Sequence, residues 1–517
     1  MCADRRPEPR GRYACRTHVT SPDALQEPLL PLDELALPAQ ALPPRSRRIY
    51  CNRDLRLDQI AAVGFDMDYT LAIYRQDEID RLSIAAAAKK LVARGYPSPL
   101  LDMPYRAHFP IRGLLVDTRL GNVVKTDRYR YVKKAYHGTS EIKSADRKHL
   151  YQGKRVRPGP GYHSIDTLYA LSEVTVFAAV VDALDHLEGE LDYERVFQDV
   201  RGCIDEAHAD GTIKGEIVTD LARYLVRDPG LPATLHKLRS AGKQVFLLTN
   251  SELPYTEAVM RFLLESGGLE EYRSWRSYFD VIVTDARKPS FFTEQRPLQE
   301  HPARGGNGKS GGERARGTLY HGGCLAELEA MLQVRSDHIL YVGDHIFGDV
   351  LRAKKESSWR TLMIIQEMTE ELDAMERYDH EIERLHALSA QRESLHDGLR
   401  DRQTVAKSVA RQLEQDHGLR AEQRVELESA RQRLKRAIER TRGQLRTVEA
   451  EHAELEQRLE HAYHPFWGSP FKAESELSSF GEQVERYACL YTDRVTNLVG
   501  YSPSHFFRGP RHRMAHE

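Results

Sequence analysis

The stretch Ile60-Ala-Ala-Val-Gly-Phe65 is a short apolar run that leads directly into two acidic residues, Asp66 and Asp68. Runs of this kind are typical of strands that are buried on both faces of a parallel sheet. In an open α/β sheet, ligand-binding and catalytic groups lie at the carboxyl ends of such strands. The sequence therefore predicts a buried strand over residues 60–65 with an acidic site at its end.

Three later stretches repeat this arrangement. The apolar runs Lys243–Leu248, Phe279–Val283 and His338–Val342 are each followed by polar residues, and helical patterns such as Leu231–Leu238 and Leu325–Leu332 come before the later strands. Strands that alternate with helices in this way favour an α/β fold with a doubly wound, Rossmann-like parallel sheet.

The interval between the first two strands is far longer than the crossover of about a dozen residues that joins parallel strands. We interpret the excess as a cap domain, and the Gly-rich stretch 305–312 as a flexible surface loop. The full predicted division is a disordered Pro- and Arg-rich leader (1–47), the core (48–74 and 231–370), the cap and substrate-recognition region (75–230), a helical hairpin arm (371–461) and a C-terminal segment packing on the core (462–517).

Residues 371–461 are rich in Glu, Arg, Gln, Leu and Ala and contain no proline. Apolar residues recur at helical spacing from Leu427 to Leu459, and less regularly from Tyr378 to Leu413. With a turn at Asp416-His-Gly418, this pattern predicts a helical hairpin of coiled-coil character. Because such an apolar stripe needs burial, we also expect the chain to form homo-oligomers.

The composition argues against several classes of protein. The 75 Lys and Arg residues are balanced by 77 Asp and Glu residues, so no overall positive field would attract nucleic acid. The six cysteines are scattered without regular spacing, which is typical of reduced thiols. No apolar run reaches the about 20 residues of a membrane span. We therefore expect a cytoplasmic protein with no nucleic-acid partner and no membrane segment.

The pair Asp66 and Asp68 predicts phosphoryl transfer. Residues i and i+2 of an extended chain face the same side, so both carboxylates can reach one phosphoryl group. Asp66 would attack phosphorus, and Asp68 would protonate the leaving oxygen and then activate water. Dehalogenation on such a scaffold would not need the second carboxylate.

The other strand ends supply the groups that phosphoryl transfer requires. Thr249 and Asn250 offer donors for phosphate oxygens, and Lys288 offers the cation. Asp344, Asp66 and the backbone carbonyl of Asp68 would be the oxygen ligands of Mg²⁺, with Asp349 just behind them.

Each of these residues also has a more ordinary interpretation when it is taken alone. The Asp66–Asp68 pair would suit an exposed turn, Thr249-Asn250 a helix N-cap, and Lys288 the solvated surface. Gly343-Asp344 would suit a plain turn. Their joint occurrence after apolar runs, in one order along the chain, favours the phosphohydrolase interpretation.

With these residues in place, the chain resembles the haloacid-dehalogenase superfamily and, within it, the cytosolic purine (IMP-GMP-specific) 5′-nucleotidase family. The motifs that carry the resemblance are Gly64-Phe-Asp-Met-Asp-Tyr-Thr-Leu-Ala72, Phe109-Pro-Ile-Arg-Gly-Leu114, Phe197-Gln-Asp-Val-Arg201, Thr249-Asn-Ser251, Asp285-Ala-Arg-Lys-Pro289, Gly343-Asp-His-Ile-Phe-Gly-Asp349 and Arg486-Tyr487. The resemblance implies Mg²⁺-dependent hydrolysis of purine nucleoside 5′-monophosphates, IMP and GMP foremost, through an aspartyl-phosphate. It also implies a capacity for phosphotransfer to another nucleoside.

The resemblance further implies that Arg201, Asp205, His208 and Lys214 recognise the base and ribose, and that Tyr162 stacks on the base. Arg or Lys would donate to O6 and N7 of a 6-oxopurine, and Asp would accept from N1. Without the resemblance, Arg201 and Asp205 would be read as a helical i,i+4 ion pair, and His208 as a structural residue.

Some relatives in this family bind a nucleotide effector. Phe347, Lys355, Gln483 and Arg486 match parts of that site, whereas residues 138–157 do not match it clearly. Regulation by a nucleotide is therefore a hypothesis.

Two alternative functions stay open at this point. One is a phosphatase on the same scaffold that acts on another phosphomonoester. The other is a coiled-coil interaction protein with a vestigial hydrolase domain, against which the complete set of catalytic residues argues.

Overall fold

The computed structural model of the chain describes residues 43–186, 191–301, 316–351, 356–415, 418 and 420–510. Most of the predicted leader, the Gly-rich stretch 305–312, and Asp416 and His417 of the predicted turn lie outside the described residues.

The strands, numbered in chain order, are β1 Tyr50–Cys51, β2 Leu55–Arg56, β3 Ala62–Phe65, β4 Ile73–Tyr74, β5 Leu114–Asp117, β6 Asn122–Thr126, β7 Val132–His137, β8 Ser140–Glu141, β9 Tyr162–Ile165, β10 Leu225–Val226, β11 Gln244–Leu248, β12 Val281–Thr284, β13 Leu298–Glu300, β14 Thr318–Gly322, β15 Ile339–Gly343, β16 Arg360–Ile364, β17 Lys472–Ala473, β18 Glu476–Leu477, β19 Leu490–Thr492 and β20 Phe506–Phe507.

The α-helices are α1 Gln76–Ala93, α2 Ser144–Tyr151, α3 Leu171–Leu184, α4 Tyr193–Ala209, α5 Thr212–Thr219, α6 Leu221–Tyr224, α7 Leu231–Ser240, α8 Leu253–Leu264, α9 Ser290–Thr293, α10 Leu325–Leu332, α11 Met368–Arg377, α12 Asp379–Gln415, α13 Ala421–Tyr463 and α14 Ser479–Tyr487. Short 3₁₀ helices span Arg45–Arg47, Leu57–Gln59, Ser98–Asp102, Trp275–Tyr278, Ser336–His338 and Val495–Gly500, and a π-helical turn spans Ile346–Leu351.

The central sheet has nine strands in the order β1-β19-β16-β15-β3-β11-β12-β14-β13. The strands from β19 to β14 run parallel to their neighbours, and β1 and β13 close the two edges antiparallel. From β3 the chain builds outward through β11, β12 and β14, then returns to the other side of β3 with β15 and β16. The order therefore reverses beside β3, at the kind of point where α/β sheets bind ligands.

Strand β3 lies in the middle of the sheet, between β15 and β11. All four of its residues are buried, and Gly64 faces the ring of Phe246 on β11. A Cβ atom at Gly64 would lie 2.1 Å from that ring, so only glycine fits the position without displacing it.

The long interval between β4 and β10, residues 75–224, is called the insert. It folds as a separate antiparallel sheet with helices. Its five strands have the order β8-β7-β6-β5-β9. Helix α3, Leu171–Leu184, is apolar on nearly all sides and almost wholly buried among this sheet and its neighbouring helices. The insert rejoins the core where β10 pairs with β4, Leu225 opposite Tyr74.

Helices α12 and α13 form a long pair that runs out and back. Leu388 on α12 packs with Val448, Leu455 and Leu459 on α13. Toward the far ends of the two helices the apolar side chains are less buried, since Val405 and Val425 are 50% and 66% exposed. After the pair, the chain adds β19 to the central sheet between β1 and β16.

These features confirm the predicted α/β class and parallel-sheet core. The four predicted strands and both predicted helices are present, and no boundary differs from the prediction by more than two residues. The domain boundaries, the cap and the coiled-coil character stay predictions. None of the helices in the described ranges is both long enough and apolar enough to cross a membrane.

Candidate active site

Three carboxylates from two strand ends meet at the reversal point of the sheet. Asp66 follows β3, Asp344 follows β15, and Asp349 lies in the π-helical turn after β15. One carboxylate oxygen from each residue lies within 4.8 Å of one oxygen from each of the other two. A Cβ atom at Gly343 would lie 2.7 Å from the Asp349 carboxyl group, so glycine at this position lets Asp349 approach the strand end. Turns of the π type are frequent at functional sites.

The cluster is electrostatically costly without a cation. Burial raises the pKa values of both Asp66 and Asp344, and repulsion from Asp349 adds to the increase. Hard carboxylate oxygens at this spacing are the donors that a divalent cation of the Mg²⁺ type prefers. The three residues fit a metal site in charge, spacing and chemistry.

Lys288 supplies a positive charge on the other side of Asp66. Its ammonium nitrogen lies 2.9 Å from Asp66 Oδ1 and 2.8 Å from Asp349 Oδ1, and it donates to the Tyr341 hydroxyl at 2.9 Å. Burial alone would lower the pKa of Lys288, but the two carboxylates outweigh burial and raise that pKa well above its usual value. The lysine is therefore a fixed cation beside the Asp66 carboxylate.

Asp68 is held by two hydroxyl groups. Tyr74 donates to its Oδ1 at 2.6 Å, and Ser251 donates to its Oδ2 at 2.6 Å. Asp68 lines the same cavity as Asp66, and it has two hydrogen-bond partners to which the sequence analysis gave no role.

The two predicted phosphate-binding residues, Thr249 and Asn250, have different surroundings. Thr249 is fully buried, and its hydroxyl accepts from the backbone N–H of Ser251 at 3.1 Å. Asn250 lines the site, where its side chain accepts from the Lys288 N–H at 2.6 Å and donates to the Lys288 carbonyl at 3.0 Å. Asn250 therefore fixes the backbone that carries the lysine.

A cavity of about 310 Å³ opens above these residues. Its floor is polar, and its walls contain apolar and aromatic side chains from the core and from the insert. The wall residues include Ile79, Tyr169, Ile213, Ile217 and Tyr255. Its volume is at the lower end of the range for small-molecule sites.

Two of the predicted recognition residues line this cavity, and a third lines an adjoining opening. His208 and Lys214 reach the cavity, and Asp205 lines an adjoining opening with them. Arg201 is exposed one helical turn before Asp205 and does not line either space.

His208 is a neutral group in this setting. Burial, helped by the nearby charge of Lys214, lowers the pKa of His208 to about 4. Its ring packs against Tyr169 with centroids 4.5 Å apart, and its Nδ1 is buried without a hydrogen-bond partner among the described residues. A ligand in the cavity would find an uncharged imidazole there.

Tyr162 lies away from the cavity. It begins β9 opposite Asp117, and its ring packs under the guanidinium of Arg119 at 4.4 Å. Tyr169, seven residues later in the loop before α3, lines the cavity instead.

Arg112 is a site residue that the sequence reasoning left without a role, although it lies in the quoted motif Phe109–Leu114. Its guanidinium is fully buried and donates to the Asp344 carbonyl at 2.6 Å and to both Glu367 oxygens at 2.6 Å. The insert thereby supports the backbone of a carboxylate in the cluster. Ser251 was likewise inside a quoted motif, whereas nothing in the sequence pointed to Tyr74 or Tyr255.

Of the residues matched to an effector site, Gln483 and Arg486 line a second cavity of about 500 Å³. Arg128, Arg130 and Arg155 also line it, and Gln483 Oε1 is buried without a hydrogen-bond partner in the described part of the chain. Lys355 and the side chain of Phe347 lie outside the described residues.

The chain is similar to known proteins of one family. The sequence pattern of the 5′ nucleotidase family matches residues 49–517. The chain is 26% identical to a 5′-nucleotidase domain-containing protein of Dictyostelium discoideum, over 91% of this chain and 74% of that protein. It is 27% identical to 5′-nucleotidase domain-containing protein 2 of Rattus norvegicus, over 91% of this chain and 80% of that one.

The human 5′-nucleotidase domain-containing protein 2 is 30% identical over 65% of this chain and 66% of its own length. Among solved structures, CbbY from Rhodobacter sphaeroides in complex with phosphate shares 16% identity, covering 59% of this chain and 86% of that one. Its TM-score of 0.21 is too low to carry an argument. The family match over most of the sequence shows that the chain belongs to the 5′ nucleotidase family of phosphoric monoester hydrolases.

Proposed function

We propose that this chain is a Mg²⁺-dependent 5′-nucleotidase that hydrolyses purine nucleoside 5′-monophosphates, with IMP and GMP preferred. The observation that carries the proposal is the position of Asp66, which lies 2.9 Å from Lys288 and within 4.8 Å of Asp344 and Asp349 at the floor of a nucleotide-sized cavity.

In the first step, a carboxylate oxygen of Asp66 attacks phosphorus and the bond between phosphorus and the 5′-oxygen breaks. Asp68 gives its proton to that oxygen, which leaves as the nucleoside hydroxyl. In the second step, water attacks the aspartyl-phosphate while Asp68 takes a proton from it, so phosphate leaves and both carboxyl groups return to their starting state.

Negative charge on the phosphoryl oxygens must be neutralised throughout. Lys288 does so from one side, because it keeps its proton between two carboxylates. Asp66, Asp344 and Asp349, with the Asp68 carbonyl, would hold Mg²⁺, which supplies further positive charge to the phosphoryl group when bound. Asn250 keeps the lysine in place through its two contacts with the Lys288 backbone.

Base recognition is assigned to the wall that the insert contributes. His208 offers an unpaired ring nitrogen, Lys214 a cation, and Tyr169 an aromatic face that is 37% exposed. Arg201 and Asp205 follow from the family resemblance as partners of a 6-oxopurine, with Asp205 at the adjoining opening. Tyr169 suits the stacking role better than Tyr162, because only Tyr169 lines the cavity.

The test is phosphate release from IMP, GMP, AMP, CMP and p-nitrophenyl phosphate, with and without Mg²⁺, by the wild type and Asp66→Asn. We expect metal-dependent activity that is highest on IMP or GMP and absent in the variant. Activity on p-nitrophenyl phosphate alone would keep the mechanism and reject the substrate. No activity on any phosphomonoester would reject the proposal and favour the interaction-protein alternative.

A phosphatase with another substrate is the nearest alternative. Asp205→Ala and Arg201→Ala should raise KM for IMP strongly and leave turnover of p-nitrophenyl phosphate nearly intact. If both substrates respond equally, the two residues do not read the base. Transfer of phosphate to an added nucleoside such as inosine would support the phosphotransferase activity that the resemblance implies.

A nucleotide effector is proposed for the second cavity. Five of its lining residues carry positive charge, which suits a polyphosphate: Arg128, Arg130, Arg155, Arg157 and Arg486. Activity against IMP concentration, measured with and without ATP, tests this. A saturation curve that ATP leaves unchanged would exclude regulation by that nucleotide.

We also propose homo-oligomers and a cytoplasmic location. The outer part of the α12–α13 pair leaves Val405 and Val425 exposed, so a second copy would gain from covering them. Val405→Glu with Val425→Glu should shift the chain to a smaller species in size exclusion, and a monomeric wild type would refute the assembly. Four described cysteines, Cys51, Cys203, Cys324 and Cys489, are free thiols, as expected in a reducing compartment. Imaging of a tagged chain in cells checks the location.

A further inference from the structure

Both oxygens of the Asp68 carboxyl group are occupied by neutral donors. The Tyr74 hydroxyl donates to Oδ1 and the Ser251 hydroxyl donates to Oδ2, each at 2.6 Å. Most side chains attached at the end of a strand can rotate about χ1. Asp68 is instead clamped on two sides, at distances typical of short hydrogen bonds to a carboxylate.

The first of these donors is itself held in place. Tyr74 is only 8% exposed, its ring packs against Tyr69 with centroids 4.7 Å apart, and its hydroxyl lies 2.9 Å from that of Tyr255 on α8. The Tyr255 ring in turn lies 5.3 Å from the ammonium group of Lys214. The hydroxyl that reaches Asp68 therefore has a second hydroxyl behind it.

Tyr74 also stands where the insert joins the core. It is the last residue of β4, two residues before helix α1 of the insert begins, and it pairs with Leu225 of β10, where the chain returns. Through Tyr74, the position of Asp68 depends on the junction between the two parts of the protein.

We propose that Tyr74 is a positioning residue that holds the carboxyl group of Asp68 against the leaving oxygen, with Tyr255 supporting its hydroxyl. The inference rests on the proposed function, in which Asp68 is the general acid and base. A general acid acts only within hydrogen-bond reach of the atom that it protonates, so a carboxyl group free to rotate loses much of its effect. The tyrosine keeps its own proton, and only Asp68 gains and loses one.

Tyr74→Phe tests the inference, because it removes the hydroxyl and keeps the ring that packs on Tyr69. Loss of an aligned acid matters most when the leaving group is a poor one. We expect kcat for IMP to fall by about 10- to 100-fold, within the range that general acid catalysis supplies. Turnover of p-nitrophenyl phosphate, whose phenolate leaves without help, should fall by less than about threefold, and KM should stay unchanged for both.

Two further variants separate positioning from folding. Tyr255→Phe should produce the same dependence on leaving group to a smaller extent. Tyr136→Phe is the matched control: it removes a hydroxyl on the insert that donates to the Phe466 carbonyl of the C-terminal segment, and both activities should stay at wild-type levels.

A double variant shows whether Tyr74 acts through Asp68. In an Asp68→Asn background, Tyr74→Phe should add little to the loss of turnover, since effects that share one group are not additive. Equal losses on both substrates, wild-type kcat on IMP, or additive losses in the double variant would each overturn the inference. A wild type that is inactive on every phosphomonoester would instead refute the proposed function, and the inference would fall with it.

Discussion

Replacing Arg112 by methionine removes one half of a buried ion pair that joins the insert to the cluster of carboxylates. The Arg112 side chain is 0% exposed and that of Glu367 is 17% exposed. Three of the guanidinium hydrogen bonds measure 2.6 Å, two to Glu367 and one to the Asp344 carbonyl, and a longer one of 3.4 Å reaches the Ile364 carbonyl. Methionine has a similar length and apolar volume but none of the donors.

The expected loss of stability follows from the Glu367 carboxylate, which the variant leaves without its partner. Breaking a buried pair by removing one partner costs about 3–5 kcal/mol, because the remaining charge is buried without compensation. Glu367 retains some access to water, which places the expected cost of Arg112→Met near the lower figure, about 3 kcal/mol. Unfolding in urea with linear extrapolation measures the change.

Two matched variants sharpen this measurement. Arg56→Met breaks the surface pair with Asp58, in which the Arg56 and Asp58 side chains are 53% and 35% exposed, and should leave the free energy of unfolding nearly unchanged because water screens the pair. Arg112→Met with Glu367→Leu removes both charges and should be more stable than Arg112→Met alone. A cost below about 1 kcal/mol for Arg112→Met, or a double variant that is less stable than the single one, would refute the reasoning.

Three other predictions concern charge at the site and in the core. Lys288→Met should lower kcat on the best substrate by about 10²–10³-fold, because it removes a group that stabilises charge in the transition state. A smaller loss in a steady-state assay would exclude Lys288 from the mechanism. Chelation by EDTA should abolish phosphate release and added Mg²⁺ should restore it, whereas activity that survives extensive chelation would exclude the metal. Burial and Lys125 lower the pKa of His464 to about 3, so the unfolded chain takes up a proton below its usual value near 6.5 while the folded chain does not. The free energy of unfolding from urea melts should therefore be about 2 kcal/mol lower at pH 5 than at pH 7. His464→Asn should show a smaller decrease, and equal decreases in the wild type and the variant would contradict the prediction.

The sequence was enough to locate the floor of the site because its signals are local. Asp66, Lys288 and Asp344 each come after an apolar run that is typical of a buried strand, and parallel strands bring their carboxyl ends to one edge of the sheet. Knowing that three such ends carry polar residues was sufficient to predict that they meet, without knowing any side-chain position.

The recognition residues were harder to place, because they lie on the insert. Tyr162 and Tyr169 are seven residues apart, and which of them faces the cavity depends on the register of β9 against β5 and on the path of the loop that follows. An aromatic residue at either position satisfies the same sequence pattern.

The amino-acid sequence by itself determined the α/β class, the order of the core strands along the chain and the residues at their ends, since all of these follow from short-range patterns of apolar and polar residues. Only the tertiary structure decided that Tyr74 reaches Asp68 and that Arg112 reaches the Asp344 carbonyl, a contact between residues 232 positions apart. Such contacts depend on how the insert packs against the sheet. That packing depends on the shapes of many side chains at once, so it cannot be predicted from local patterns in the sequence.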